Sequence, residues 1–216
     1  MNKIEMDEIV LDEVAFVGET LGPFFLEDPK AGKATSAFEA ITTLNIEEAA
    51  QEWPFVAQQQ AHEALSLMQN GLRNGIEADE LVWEYRRLFV GPATKAAPAW
   101  GSVYTDREGV VFGQSTLELR RFMRTYGIER LQDEKNPEDH IGLMLQLMAW
   151  IAREKPECLE EYLRLHLLTW ASHFLEKLEE VSEEDFYRGL ARLTKESFEG
   201  IKQELEIEVT YPRFYR

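Results

Sequence analysis

The chain has 216 residues, with 23 Lys or Arg against 40 Asp or Glu, so its formal charge is −17. Such an acidic surface repels phosphate backbones and argues against nucleic-acid partners. The single cysteine, Cys158, excludes an internal disulfide framework and a cysteine-based metal cage. Acids stand where a signal peptide needs basic residues, and the apolar runs are too short to cross a bilayer. We therefore predict a cytoplasmic protein without membrane insertion.

Apolar residues recur at helical spacing over most of the first half of the chain, whereas strand patterns are nearly absent. The first apolar stripe is interrupted at Gly22-Pro23, which predicts a break there. Asn45, followed by Glu48, resembles a capping box that opens a short helix. A further helix ends at Gly91-Pro92, which is a strong breaker.

The second half opens with the least regular stretch, residues 91–114, in which two Pro, four Gly and three large aromatic residues occur. A loop of this length in a compact domain is usually functional. Further helices follow, and Pro137 is predicted to start the most apolar of them. The polar connection before it suggests a hinge near 132–138. The whole predicts a single all-α bundle domain, residues 1–216, of about nine or ten helices.

Residues that could carry chemistry do not form a recognisable catalytic or metal site. The histidines lack the carboxylate partners of a helical metal site. Ser102 is not in a nucleophile elbow, and no glycine cluster has phosphate-loop spacing. Asp139-His140 could be an acid–base pair, but His140 could equally cap a helix. We predict no enzyme activity, no catalytic residue, no metal and no cofactor.

A binding surface remains as the functional feature. Aromatic and apolar residues on both sides of the Gly91-Pro92 break suit an apolar groove rimmed by acids, which would attract a basic peptide. The alternative is that these rings only hold the long loop on the helices. The residues are Tyr85, Leu88 and Phe89 before the break, and Trp100, Tyr104 and Phe112 after it.

Three segments in fixed order resemble one family. They are Glu84–Pro92, the loop from Pro98 to Leu117, and Asn136–Gly142, which contains a Pro-Glu-Asp-His motif. Together they resemble the TorD/DmsD family of chaperones for molybdenum-cofactor oxidoreductases, on the DmsD side. The similarity extends from about residue 81 to the end of the chain, whereas residues 1–80 match only in helical character.

The resemblance implies an all-helical, cytoplasmic, non-enzymatic chaperone. Such a protein binds the twin-arginine leader of an apo-molybdoenzyme of the dimethyl sulfoxide reductase type, delays its export and assists molybdenum-cofactor insertion. The resemblance is compatible with a monomer or a domain-swapped homodimer. The signal-peptide-binding residues that it implies are Tyr85, Leu88, Phe89, Trp100, Tyr104, Gly113, Asp139 and His140.

These residues suggest how a leader would bind. Its apolar stretch would lie in a groove lined by Leu88, Phe89, Trp100 and Tyr104, and its arginines would meet Asp139. His140 could make release pH-sensitive. The alternative function is a nucleotide- or small-molecule-binding helical protein.

Overall fold

The computed structural model describes residues 7–91, 94–129 and 135–216, and over these ranges it contains eleven α-helices and no strand. The predicted all-α class is confirmed. The count exceeds nine or ten because two helices, α6 and α9, are only four residues long. The helices are α1 (Glu8–Leu26), α2 (Thr35–Thr42), α3 (Ile46–Glu52), α4 (Gln58–Gly71), α5 (Asp79–Tyr85), α6 (Ser102–Thr105), α7 (Gln114–Thr125), α8 (Ile141–Glu154), α9 (Leu159–Tyr162), α10 (Ala171–Val181) and α11 (Asp185–Glu204).

Helices α1 and α8 form the most extensive contact of the bundle. Glycines allow their backbones to meet: a Cβ on Gly18 would lie 2.3 Å from the carbonyl oxygen of Leu145, and one on Gly142 would lie 2.8 Å from that of Gly22. Helix α11 packs against both α4 and α10. The buried apolar residues of these helices belong to one core cluster, which stabilises the fold by removing apolar surface from water.

Two predicted helix boundaries are wrong. Helix α1 continues through Pro23 to Leu26, because Pro23 costs one backbone hydrogen bond while the neighbouring Phe24 and Phe25 are buried in the core. Helix α8 begins at Ile141 rather than at Pro137. The N-cap half of the predicted capping box is present, since the Glu48 N–H donates to Asn45 Oδ1 at the start of α3, while the Glu48 carboxylate accepts from the Asn45 side-chain amide.

Two π-helical turns extend helices, Arg86–Val90 after α5 and Leu163–Leu167 after α9. The first ends at Gly91, whose φ of 100° favours glycine. Short 3₁₀ turns occupy Pro29–Ala31 and Pro156–Cys158. Residues 132–134 of the proposed hinge at 132–138 lie outside the described residues, so the hinge stays a prediction, as does the division into one domain.

Over the described part of the chain, each helix is too short or too polar to span a bilayer.

Candidate functional site

Two of the segments singled out in the sequence meet in space. Trp100 and His140 form an isolated antiparallel bridge. The Gly101 N–H donates to the Asp139 carbonyl at 3.0 Å, and the Ile141 N–H donates to the Ala99 carbonyl at 2.8 Å. The loop before α6 is therefore fixed to the N-terminus of α8, and Asp139 lies at the junction.

The Asp139 carboxyl is buried, with 3% of the residue exposed, and only one of its two oxygens accepts a hydrogen bond among the described residues. Its Oδ2 accepts a 2.8 Å hydrogen bond from the Ser102 N–H. Its Oδ1 has no hydrogen-bond partner among the described residues. Burial raises the pKa of this carboxyl, against the opposing influence of the Ser102 N–H and of the nearby Ser102 and Thr116 hydroxyls. Neither hydroxyl completes a hydrogen bond to it in the part of the chain described.

Asp139 borders a cleft of about 460 Å³. Its walls are the α6–α7 region, the π turn Leu163–Leu167 with the residues after it, and an extended segment near residue 210. Among the lining residues four are acidic and one, Arg164, is basic, whereas Leu165 and Tyr211 supply apolar surface and are each 48% exposed. The acidic lining residues are Asp106, Glu118, Asp139 and Glu208.

Gly113 shapes the cleft. A Cβ at this position would lie 1.8 Å from Asp106 Oδ2. Asp106 in turn accepts from the Ser115 N–H, 3.4 Å from each of its carboxylate oxygens, and so caps the first turn of α7. Gly113 thus leaves room for the side chain that anchors one wall.

The predicted groove lined by Leu88, Phe89, Trp100 and Tyr104 is wrong for this structure, because those side chains are buried in the core. Leu88 and Tyr104 have no exposed surface, and Trp100 is only 8% exposed. Phe89 packs edge-on against Phe25 and Tyr187. The alternative, that these rings hold the loop on the helices, describes the structure.

Tyr85 is also part of this internal packing. Its hydroxyl donates to the Leu26 carbonyl at the end of α1, at 2.8 Å, and its ring packs on Phe89. Tyr85 therefore joins α5 to α1 and does not line the cleft.

His140 is the N-cap of α8. Its Nδ1 accepts from the Gly142 N–H at 3.2 Å, and its ring meets Trp100 edge-on at 5.1 Å. Burial lowers the pKa of His140 from 6.5 to about 3. His140 thus stays neutral at physiological pH, so the prediction of pH-sensitive release through this residue is wrong, while the helix-cap alternative is confirmed.

Sequence reasoning missed the residues that actually present surface to the cleft. Leu165 and His166 reach it from a π turn, and Glu208 and Tyr211 reach it from the extended segment. Leu165 carried one readable signal, since it lies between the buried Leu163 and Leu167 and is out of phase with their stripe. Burial lowers the pKa of His166, while the nearby Glu118 and Glu161 oppose the shift.

Within the described ranges, no three His, Cys, Asp or Glu side chains are grouped so as to hold a metal ion.

The fold and the cleft define a helical protein with an acidic, partly apolar site suited to a cationic, partly apolar ligand. The chain belongs to the family described as nitrate reductase delta subunit, which it matches over residues 56–177. The resemblance to TorD/DmsD chaperones is confirmed by its relatives over nearly the whole chain.

Two relatives illustrate this similarity. A Haemophilus influenzae protein described as a probable Tat proofreading chaperone DmsD is 38% identical over 95% of this chain and 98% of its own. The Tat proofreading chaperone DmsD of Salmonella typhimurium is 35% identical over 95% of this chain and 97% of its own.

A solved structure supports the fold. It is that of a proposed redox enzyme maturation protein from Archaeoglobus fulgidus, with a TM-score of 0.54, 21% identity, and coverage of 92% of this chain and 98% of that one.

Proposed function

We propose that this chain is a cytoplasmic chaperone without enzyme activity that binds the twin-arginine leader of an apo-molybdoenzyme of the dimethyl sulfoxide reductase type. It delays export of the precursor and assists molybdenum-cofactor insertion. Relatives described as Tat proofreading chaperone DmsD, which match 95% of the chain, support this function. The partners are the leader and the apo-enzyme.

The observation that carries the proposal is the unused Oδ1 of Asp139 beside an acid-lined cleft. A leader arginine supplies planar N–H donors that suit a carboxylate. The Asp139 carboxylate is held in place by the Ser102 N–H, so little order is lost when the guanidinium arrives. Glu118 and Glu208 provide further negative charge for the second arginine.

Apolar contact supplies most of the affinity. An ion pair with the exposed Glu118 or Glu208 contributes only about 0.2–1 kcal/mol, whereas apolar burial contributes about 25 cal/mol per Å². Leu165 and Tyr211 offer such surface to the apolar stretch of a leader. Ordering a flexible peptide costs about 2–5 kcal/mol, so the affinity is moderate, as suits a chaperone that releases its client.

The nucleotide-binding alternative is disfavoured by the same cleft. Four acidic side chains line it against one arginine, and that arginine already faces Glu160 at 3.7 Å. Phosphate groups would meet repulsion there.

The test is calorimetry with a synthetic leader of a dimethyl sulfoxide reductase catalytic subunit. The wild-type protein binds it, and Asp139→Asn weakens binding about tenfold, because a hydrogen bond to a charged group is lost. Asp79→Asn removes the same charge from an exposed, remote pair with Lys30 and leaves affinity unchanged. A wild-type protein that ignores the leader, or an Asp139→Asn variant that binds equally well, contradicts the proposal.

A cellular experiment tests the client. The chain should co-purify with a molybdoenzyme precursor, and this association should disappear when the leader is deleted. Light scattering on the same samples distinguishes a monomer from a homodimer.

A further inference from the structure

The extended segment 208–216 is attached to the body of the protein by few backbone hydrogen bonds, although Val209 and Phe214 pack on the core and the Lys202 ammonium donates to the Tyr211 hydroxyl at 3.3 Å. The Ile207 N–H donates to the Lys202 carbonyl, and the next backbone–backbone hydrogen bond within the described residues is from the Tyr215 N–H to the Tyr104 carbonyl, at 2.9 Å. Residues 210–213 between them are exposed. Segments with few backbone hydrogen bonds and little burial open at low free-energy cost.

Besides this backbone bond of Tyr215, three side-chain contacts anchor the far end of the segment. The Phe214 ring stacks on His173 with centroids 4.1 Å apart and planes 3° from parallel. The His173 Nε2 hydrogen-bonds the Arg216 carbonyl at 2.7 Å. The Arg216 guanidinium donates to the Lys95 carbonyl, also at 2.7 Å.

Two buried aromatic side chains with unused polar groups lie next to these anchors. The hydroxyl of Tyr104 and the Nε1–H of Trp100 have no hydrogen-bond partner among the described residues. Tyr104 packs edge-on against His173, and the Lys95 ammonium lies 5.4 Å from the centre of the Trp100 ring. Buried polar groups normally find partners, and leaving one without a partner is costly.

The covered residues are continuous with the cleft. The Tyr104 ring stacks on Trp170 at 6.0 Å, and Trp170 lines the cleft. Residues 208, 210, 211 and 212 of the segment form a wall of that same cleft. Lifting the segment would therefore extend the cleft toward Tyr104.

We propose that residues 208–216 are a removable cover over this extension, and that a bound leader displaces them; the proposal rests on the proposed function. The segment itself is aromatic and basic toward its end, with Arg213, Phe214, Tyr215 and Arg216. It shares this chemistry with a cationic, partly apolar leader and so competes for the same surface.

The first arm of the test measures leader affinity by calorimetry in two variants. Phe214→Ala removes the stack on His173 without changing charge, and raises the affinity about fivefold, because less of the protein is held in the covered form. Phe16→Ala is the matched control. It removes the same kind of side chain from the ring pair that Phe16 of α1 forms with Trp53, Phe16 does not line the cleft, and the affinity of this variant equals that of wild type. Melting curves verify that both variants are folded.

The second arm follows hydrogen exchange at Tyr215 in the wild-type protein. The amide exchanges faster when the leader is bound, since its bond to Tyr104 is broken. Slower exchange with leader would mean that the segment closes over the peptide, and would overturn the proposal. Equal affinity of Phe214→Ala and wild type, with leader binding intact, overturns the cover alone. A wild-type protein that does not bind the leader overturns the proposed function together with the cover.

Discussion

Asp139 has a buried carboxyl, and one oxygen of this carboxyl has no hydrogen-bond partner among the described residues. The feature that favours binding of a cationic ligand therefore lowers the stability of the ligand-free protein. A buried carboxyl is costly to ionise, and burial accordingly raises its pKa. The oxygen without a partner is itself buried, and it belongs to a residue that borders the cleft, so a cationic ligand would reach it from there. Sites of this kind commonly trade folding stability for function.

The first prediction concerns Asp139→Asn in the absence of ligand. Because the pKa of Asp139 is raised in the folded protein, its ionisation lowers the free energy of unfolding as pH rises from the unfolded to the folded pKa. Asparagine keeps an acceptor for the Ser102 N–H and carries no charge. The variant should be at least as stable as wild type at pH 7 in urea unfolding. A clear loss of stability at pH 7 would contradict this assignment.

The second prediction concerns His140 and acid. Its pKa is about 3 in the folded protein and 6.5 when unperturbed, so the unfolded chain binds the proton first and stability falls as pH drops below 6.5. His140→Asn keeps a side-chain acceptor for the α8 N-terminus and does not titrate. Between about pH 6.5 and pH 5, wild type should lose about 2 kcal/mol more than the variant, by urea unfolding. Parallel losses in the two proteins would count against the buried, neutral imidazole.

The Arg87–Glu84 ion pair, which we call the clamp, joins helix α5 and its π turn to the turn between α10 and α11. The Arg87 guanidinium donates to both carboxylate oxygens of Glu84, at 2.6 and 2.8 Å, and to the Val181 carbonyl at 2.5 Å. Glu84, which is buried, also accepts from the Glu183 N–H at 2.6 Å. The Glu84–Pro92 motif that resembles a chaperone signature thus fastens α5 to the turn between α10 and α11.

The third prediction tests this clamp. Arg87→Met leaves the Glu84 carboxylate buried without its ion-pair partner, and should lower the free energy of unfolding by about 2–4 kcal/mol. Arg86→Met is the matched control, because Arg86 pairs with Asp28 at the surface and such pairs contribute about 0–1 kcal/mol. Urea unfolding of both variants measures the difference. Equal losses in the two variants would show that the Arg87–Glu84 pair contributes no more to the free energy of unfolding than the Arg86–Asp28 pair.

The elements differ in how far the sequence predicts them. Apolar spacing identifies most helices because burial of a stripe is what stabilises them. The spacing of Leu88 and Phe89 could not tell a core face from a groove face, since both are apolar. The break predicted at Pro23 is wrong because the energetic cost of a proline inside a helix is offset by tertiary packing, which the local sequence does not reveal. The π turn that brings Leu165 to the cleft has no sequence signature of its own. Motifs at 98–104 and 136–142 indicated a site, but their backbone bridge depends on the whole fold.

At the scale of the whole molecule, net charge governs how a leader arrives. The formal charge of −17 attracts a cationic peptide over long range, and salt screens this attraction.

The fourth prediction is that raising salt from about 50 to 500 mM lowers the association rate of the leader about tenfold while its dissociation rate changes little. Stopped-flow fluorescence measures both rates. A peptide with the same apolar stretch but neutral residues in place of the arginines should show almost no salt dependence of association. A large change in the dissociation rate instead would place the charge effect in the bound complex.

Helix α8 begins two residues after Asp139, which borders the cleft, and it forms the most extensive helix–helix contact of the bundle with α1. Binding at Asp139 is therefore coupled to the pair of helices with the most extensive contact. A ligand present at about 100 times its dissociation constant adds about 2.7 kcal/mol to the free energy of unfolding. Simple heating curves on a panel of export peptides would consequently rank candidate clients, with no label on either molecule.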